Sequence, residues 1–299
     1  MAPRAFVPPE LTIGPFTRRT GLAAGLSPEQ LRSRCWVRLF RDVYLHVAIP
    51  LTDKVRFEAA RLALPPGAVA TDRTAAWLFG LWTPRPGTPV PMEFGAPRER
   101  GAHSRAGVRS RRLTLDEGDV DLWNGVPVTT PERTCFGLMA RANATESVVW
   151  ADSFLHAGLV TRSGMTRYAD ERPRRPYVAH VRDALALSRP GAASPMETRL
   201  RLVVVVYGGL PEPPLLNEAV YDEKGNFLGK PDIGYLRPDF GLEYDGDYHR
   251  DPDQRAADNV RENGLVVANF PLLRYGAYDV YQRPDRIVAE VSAMLRRAA

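Results

Sequence analysis

Four charged side chains in the last third of the chain have the types and spacing to hold a divalent cation. Lys230 and Asp232 lie two residues apart, and so do Glu243 and Asp245. In a strand, residues two apart share a face. Over Phe227–Leu236, Lys230, Asp232 and Gly234 take one face and Phe227, Ile233 and Tyr235 the other; over 240–245, Glu243 and Asp245 oppose Leu242 and Tyr244. A two-residue turn at Arg237-Pro238 would set Asp232 across from Glu243 and Lys230 across from Asp245. Pro238 disfavours so tight a turn, and a four-residue loop would instead pair Asp232 with Asp245. Either even loop leaves the three carboxylates on one face, whereas an odd loop separates them. Like charges opposed across a sheet repel, and a hard cation with oxygen ligands is the natural compensation. The competing reading of Asp245-Gly246 is a turn, with Asp247 its solvent-facing companion.

The elements that must position these groups follow from local signals. Ser194-Pro195-Met196-Glu197 is a capping box opening a helix, with Met196, Leu200, Val203 and Tyr207 on one face and Gly208-Gly209 as its stop. The β-branched run Val203–Val206 competes for a strand, but the cap and the glycine stop favour helix. Glu197 is therefore both a candidate site residue and a capping-box glutamate. Three strands are expected at about 216–221, 227–236 and 240–245, with a turn at Asp222–Asn226. Downstream, Asp258, Arg261 and Glu262 read as a helix surface with an internal ion pair, and a last strand spans Val266–Arg274.

A second constellation lies at the N-terminus. Phe16–Ala24 reads as a helix ending at Gly25, and Ser27-Pro28-Glu29-Gln30 caps a second helix carrying Arg32, Arg34 and Arg38 at or near its exposed side. Val37–Phe40 and Val43–Val47 then alternate as a hairpin turning at Arg41-Asp42. That layout is a winged helix-turn-helix, whose second helix enters the major groove while arginines meet phosphates. The alternative is a small helical cap with solvated arginines. In the middle of the chain, helices are expected at Thr71–Leu81, from Thr130-Pro131, and at Thr145–Gly158 with Trp150 and Phe154 in the core, and a strand at Pro89–Gly95. Six arginines at 98, 100, 105, 109, 111 and 112 form a basic loop running into a strand, which reads either as a grip on a phosphate backbone, with Arg109, Arg111 and Arg112 as candidate DNA contacts, or as a solvated charged loop.

Composition bounds these readings. The 299 residues are 44% hydrophobic and 25% charged, which excludes wholesale disorder. The longest apolar run, Leu202–Leu210, is far too short for a membrane span, and Met1-Ala2-Pro3-Arg4 lacks a signal-peptide apolar stretch. Cys35 and Cys135 fit neither a disulfide framework nor a zinc site, so a reducing cytoplasmic setting is expected. The net charge of +5 permits a nucleic-acid partner. Of 40 basic residues 37 are arginine, a ratio that a GC-rich genome explains as well as phosphate binding does. Proline-rich breaks suggest three parts: residues 1–50, 51–190 and 191–299.

Taken together, Glu197 on a helix, Gly229-Lys230-Pro231-Asp232 on a strand and Glu243-Tyr244-Asp245-Gly246-Asp247-Tyr248-His249 resemble the PD-(D/E)xK nuclease superfamily over about 191–299, and more closely its very-short-patch-repair-like branch. That branch often carries an N-terminal winged helix like that of the abortive-infection type IV antitoxins; residues 17–47 resemble this module, and Thr129–Thr134 fits proteins of the same two-part build. The first resemblance implies a restriction-endonuclease-like α/β core in which Asp232 and Glu243 bind Mg²⁺ or Mn²⁺, Glu197 completes or orients the site, and His249 acts as acid or base or positions water. The superfamily lysine two residues after the glutamate is here Asp245, and Lys230 would supply that positive charge. The expected fold is mixed α/β: a winged helix, an α/β middle and a nuclease-like core. The expected function is a metal-dependent DNA endonuclease. The alternative is a non-catalytic DNA-binding regulator of the antitoxin type that keeps the nuclease fold for binding.

Overall fold

Short strands and capped helices punctuated by proline and glycine give a mixed α/β chain. The computed structural model describes residues 6–64, 67–81, 92–96, 108–221, 224–236, 239–246 and 270–297. The chain divides into two compact units, Met1–Leu138 and Met139–Ala299.

In the first unit, β1 (Phe16–Thr17), β3 (Val43–His46) and β2 (Trp36–Phe40) form an antiparallel sheet in the order β1-β3-β2. Between β1 and β2 the chain makes α1 (Arg18–Ala23) and a single 3-10 turn, Gln30–Arg32. The Thr17 hydroxyl accepts from the Thr20 N–H and caps α1. Mid-helix Gly21 lets Phe16 and Leu31 close on the helix, since a Cβ there would lie 2.9 Å from the Phe16 ring. One face of the sheet packs Trp36 and Tyr44 with Leu11, Phe16, Leu26 and Leu31. The other packs Val43 and Leu45 into a core shared with α2 (Asp53–Ala63) and the next sheet, through Val55, Phe57, Ala70, Phe94 and Val128. That core draws on residues to either side of position 50.

The second sheet runs β6 (Val108–Arg112), β5 (Met92–Ala96), β4 (Val69–Ala70), β8 (Val126–Thr129), β7 (Val120–Trp123). Helix α3 (Asp72–Leu78) follows β4 directly and α4 (Pro131–Met139) follows β8. The helix expected at 71–81 is present as Asp72–Leu78, and the strand expected at 89–95 is present as Met92–Ala96 among the described residues, 89–91 lying outside them.

In the second unit, α5 (Ala144–His156), α6 (Arg162–Asp170) and α7 (Val178–Leu187) precede α8 (Pro195–Leu202), which continues as one π-helical turn, Val203–Tyr207. Gly208 N–H closes onto the Val203 carbonyl and Gly209 takes φ +61, so the helix stops where the glycines stand. Strands β9 (Leu215–Leu216), β12 (Ile233–Tyr235), β13 (Phe240–Tyr244) and β14 (Leu272–Tyr275) form one sheet, and β10 (Val220–Tyr221) with β11 (Phe227–Gly229) a separate ribbon. Two expected strands are broken. Asn217, at φ 50, separates β9 from β10, and Pro231, which has no N–H to donate, separates β11 from β12. Helices α9 (Ala277–Gln282) and α10 (Pro284–Arg296) pack Val280, Ile287, Val291 and Met294 onto Leu200, Ile233, Phe240 and Leu242.

Buried polar bonds tie α8 to α5. Arg199 makes two hydrogen bonds to Glu146, at 2.8 and 2.7 Å. Burial works against the Arg199 charge, but Glu146 outweighs it and holds the guanidinium above its ordinary pKa. Fully buried Arg201 bonds Asp152 at 3.1 Å, Glu212 at 2.9 Å and the Leu187 carbonyl at 2.8 Å. Burial pushes the Asp152 carboxyl up, against the pull of Arg201. These ties span residue 190, so the helices before it belong with the sheet after it.

Candidate nucleic-acid interface

Ser27 forms the expected capping box: the Gln30 N–H donates to Ser27 Oγ at 3.2 Å, and the Ser27 N–H to Gln30 Oε1 at 2.7 Å. The box closes a 3-10 turn, however, and not an α-helix. Buried Leu31 ends the turn against the small N-terminal core. Arg32 is the last residue of that turn, Arg34 follows it, and Arg38 lies on β2 opposite Tyr44. No single recognition helix carries the three. All are nonetheless exposed, as are Arg18 and Arg19 at the start of α1. Among the described residues none of the five forms an ion pair, whereas Arg41 lies 3.7 Å from Asp42. The Glu29 carboxyl is held below its ordinary value by a backbone N–H and the Ser27 hydroxyl, with a weaker pull from Arg32. Asp42, at φ 61, turns the hairpin, and its carbonyl accepts from the Arg18 N–H at 2.8 Å, tying α1 to the turn.

The second arginine set lies on β6, the edge strand of the five-stranded sheet. Arg109 lies 3.6 Å from Glu93, its partner across β5, and Arg111 lies 3.7 Å from Asp72. Arg112 is exposed at the end of the strand. The two acids, which no sequence pattern singled out, are buried. Glu93 Oε2 also accepts from the Arg73 N–H at 2.8 Å, and Asp72 sits at φ 53 in the strand-to-helix turn. For Glu93 the signal is an acid within a strand beside a basic strand; Asp72, the first residue of α3, carries no such signal. They anchor arginines whose other side faces solvent, Arg109 being 61% exposed.

The carboxylates are placed differently from expectation. β12 and β13 pair Ile233 with Leu242, Gly234 with Gly241 and Tyr235 with Phe240, the register of the tight turn that Pro238 was expected to prevent. Continued one step, it sets Asp232 opposite Glu243. Gly241 makes this possible, since a Cβ there would lie 2.8 Å from Pro231. Each acid has a partner. Asp232 Oδ2 accepts from the Tyr244 N–H at 2.7 Å, and Glu243 pairs with Arg274 at 3.1 Å. The Glu197 N–H donates to the Ser194 cap, while Glu197 Oε2 accepts from the Ala193 N–H, one residue before the cap, at 2.7 Å and from Asn217 Nδ2 at 2.6 Å, holding the loop after β9. Asp245 lies exposed beyond β13, and Lys230 is exposed in the Pro231 break, off the strand that was to align it with Asp232. His249, Asp247 and Arg98, Arg100 and Arg105 lie outside the described residues, as do Asp258, Arg261 and Glu262. Among the described residues no three His, Cys, Asp or Glu side chains group as metal ligands. In this structure Asp232, Glu243 and Glu197 each hold a protein partner: a backbone N–H, an arginine, and the Ala193 N–H with Asn217.

Residues 68–185 match the family model of the AbiEi antitoxin C-terminal domain. The match covers β4 through α7, including Thr129–Thr134, but not residues 17–47. Two Mycobacterium tuberculosis proteins, "Uncharacterized protein MT2308" of strain CDC 1551 / Oshkosh and "Uncharacterized protein Rv2248" of strain ATCC 25618 / H37Rv, are each 27% identical over 281 residues, covering 90% of this chain and 96% of their own. The crystal structure of RV2827C protein from Mycobacterium tuberculosis aligns over 70% of this chain and 84% of its own at 12% identity, with a TM-score of 0.32, too low to carry an argument. Similarity to the antitoxin domain thus stands on the middle of the chain. Among the described residues no helix is long and apolar enough to cross a membrane.

Proposed function

We propose that this protein is a non-catalytic DNA-binding regulator of the antitoxin type, acting in the cytoplasm. The observation that carries the reading is the set of exposed arginines at 18, 19, 32, 34 and 38, none ion-paired among the described residues. A folded protein gains little from such charges internally. Against a phosphate backbone each releases condensed counterions. The antitoxin-domain match over 68–185 supports the same reading. The arginines are presented by the start of the short helix α1, a capped turn and a three-stranded sheet rather than by a long recognition helix. That geometry suits phosphate contact more than dense base readout.

The test is binding of duplex DNA against salt concentration. Changing Arg32, Arg34 and Arg38 together to alanine should weaken binding and lower the log–log salt slope by about 0.9 for each phosphate that is no longer neutralised. An unchanged slope would remove these residues from the interface.

A second reading, the metal-dependent endonuclease, is favoured by one observation, the register that sets Asp232 opposite Glu243. The Tyr244 N–H and Arg274 supply the compensation that a cation was expected to give.

A further inference from the structure

Helix α6 in the second unit exposes Arg162, Ser163, Thr166, Arg167 and Asp170, the positions of one helical face, and buries Met165, Tyr168 and Ala169 on the other. The Thr161 hydroxyl accepts from the Gly164 N–H at 3.0 Å and caps it. Residues 162–182 hold six arginines against two carboxylates, Asp170 and Glu171. Both acids are at the C-terminal end of the helix and both are engaged: Asp170 with Arg182 at 2.8 Å, Glu171 with Arg172 at 3.3 Å. Arg167 and Arg174 are exposed and form no ion pair among the described residues. The turn after the helix is fixed rather than trailing. The Arg172 guanidinium stacks 3.9 Å from the Tyr168 ring centroid, Arg175 lies 5.7 Å from it, and the Arg175 N–H closes onto the Arg172 carbonyl. Arg162 in turn donates to the Ala186 carbonyl at 2.9 Å, fastening the start of α6 to the end of α7. A groove of about 870 Å³ is lined among the described residues by Arg162, Ser163, Thr166, Arg167, Asp170 and Glu171.

We infer that this face of α6, with the turn to Arg174, is a second DNA-backbone contact surface, independent of the N-terminal arginines. Charge complementarity fixes the occupant as a polyanion. Arg167 and Arg174 supply the charge, and the Ser163 hydroxyl adds a donor that can bond a phosphate oxygen, whereas the Thr166 hydroxyl donates to the Arg162 carbonyl at 3.0 Å. The helix and turn are already ordered by the Tyr168 stack and the Thr161 cap, so docking them costs little further ordering. The inference rests on the DNA-binding reading above.

The experiment titrates the full chain against a 30-bp duplex between 50 and 200 mM salt. It compares wild type, Arg167→Ala/Arg174→Ala, Arg167→Lys/Arg174→Lys, and the N-terminal triple alanine variant. Arg167 on α6 and Arg174 in the turn after it are both exposed, so unchanged circular dichroism and melting should accompany the changes. The expected result is a slope lowered by about two units in the α6 alanine pair, several-fold weaker binding at each salt, and a near wild-type slope in the lysine pair. A wild-type slope in the α6 alanine pair beside a flattened slope in the N-terminal variant would overturn this inference and leave the regulator reading standing. If wild type does not bind the duplex, both fall.

Discussion

The acidic residues show how far spacing alone reaches. Parity places Asp232 and Glu243 together, and the β12–β13 register does set them opposite. Parity cannot say what each carboxylate bonds to. Asp232 takes the Tyr244 N–H and Glu243 takes Arg274, a residue 31 positions away that no local pattern links to it. No metal-specific stabilisation is therefore expected here. Differential scanning calorimetry at fixed ionic strength should give wild type and Asp232→Asn the same response to millimolar Mg²⁺, and a gain confined to wild type would restore the metal site. Glu197 is the residue whose two readings the structure separates most sharply. Its carboxylate bonds the Ala193 N–H and holds Asn217. Glu197→Ala should then cost about 1–2 kcal/mol by chemical denaturation, from the lost bonds to the Ala193 N–H and to Asn217, which keeps its bond to the Gly191 carbonyl, while leaving DNA affinity unchanged. Affinity falling without a stability loss would make it a binding residue. On β6, Glu93 and Asp72 escaped the sequence because buried acids are recognised by what surrounds them, and Thr71–Thr74 reads only as the start of a helix.

Elements were readable where a local rule decides them. The Ser194 box, the Gly208-Gly209 stop and the helix near 145–158 follow from caps and periodicity, and the structure has them as α8 and α5. The Ser27 box is present too, yet it closes only a 3-10 turn, because Leu31 must turn into the core beside Phe16 and Trp36 before β2 begins. A box specifies a start, and packing specifies the length. The strand expected over 227–236 fails at Pro231 for the opposite reason: the breaker was in view but the alternation outweighed it. Gly21 is a test of element packing. Alanine usually stabilises a helix by up to about 1 kcal/mol over glycine. Here the added Cβ meets the Phe16 ring at 2.9 Å and Leu31 at 3.2 Å. Gly21→Ala should therefore lower stability by about 1–2 kcal/mol, net of its propensity gain, by overpacking. A raised melting temperature would mean that this small core yields more readily than those distances imply.

At the scale of the molecule, the proline-rich breaks pointed to three parts and the chain makes two units. Proline content reports chain direction, whereas unit boundaries are set by contacts between distant residues. The shared core through Leu39, Phe40, Phe57 and Trp77 binds the first 50 residues to the sheet that follows. The Arg201–Asp152–Glu212 network binds α5 to α8. Removing one member of a buried charged network leaves the others uncompensated, so Arg201→Met should cost about 3–5 kcal/mol and, by calorimetry, melt the second unit first. A near-neutral effect would mean that packing alone joins those helices. What the protein does depends on which of its charges are spent within the fold. Its candidate catalytic carboxylates are largely bonded internally, and its N-terminal arginines are not. The most direct measurement is a titration of labelled duplex DNA with wild-type protein in EDTA, followed by addition of Mg²⁺. A DNA-binding regulator should show salt-sensitive binding without metal, with the DNA recovered intact after Mg²⁺ is added. Absence of binding in EDTA, or cleavage on Mg²⁺ addition that Asp232→Asn abolishes, would contradict that reading.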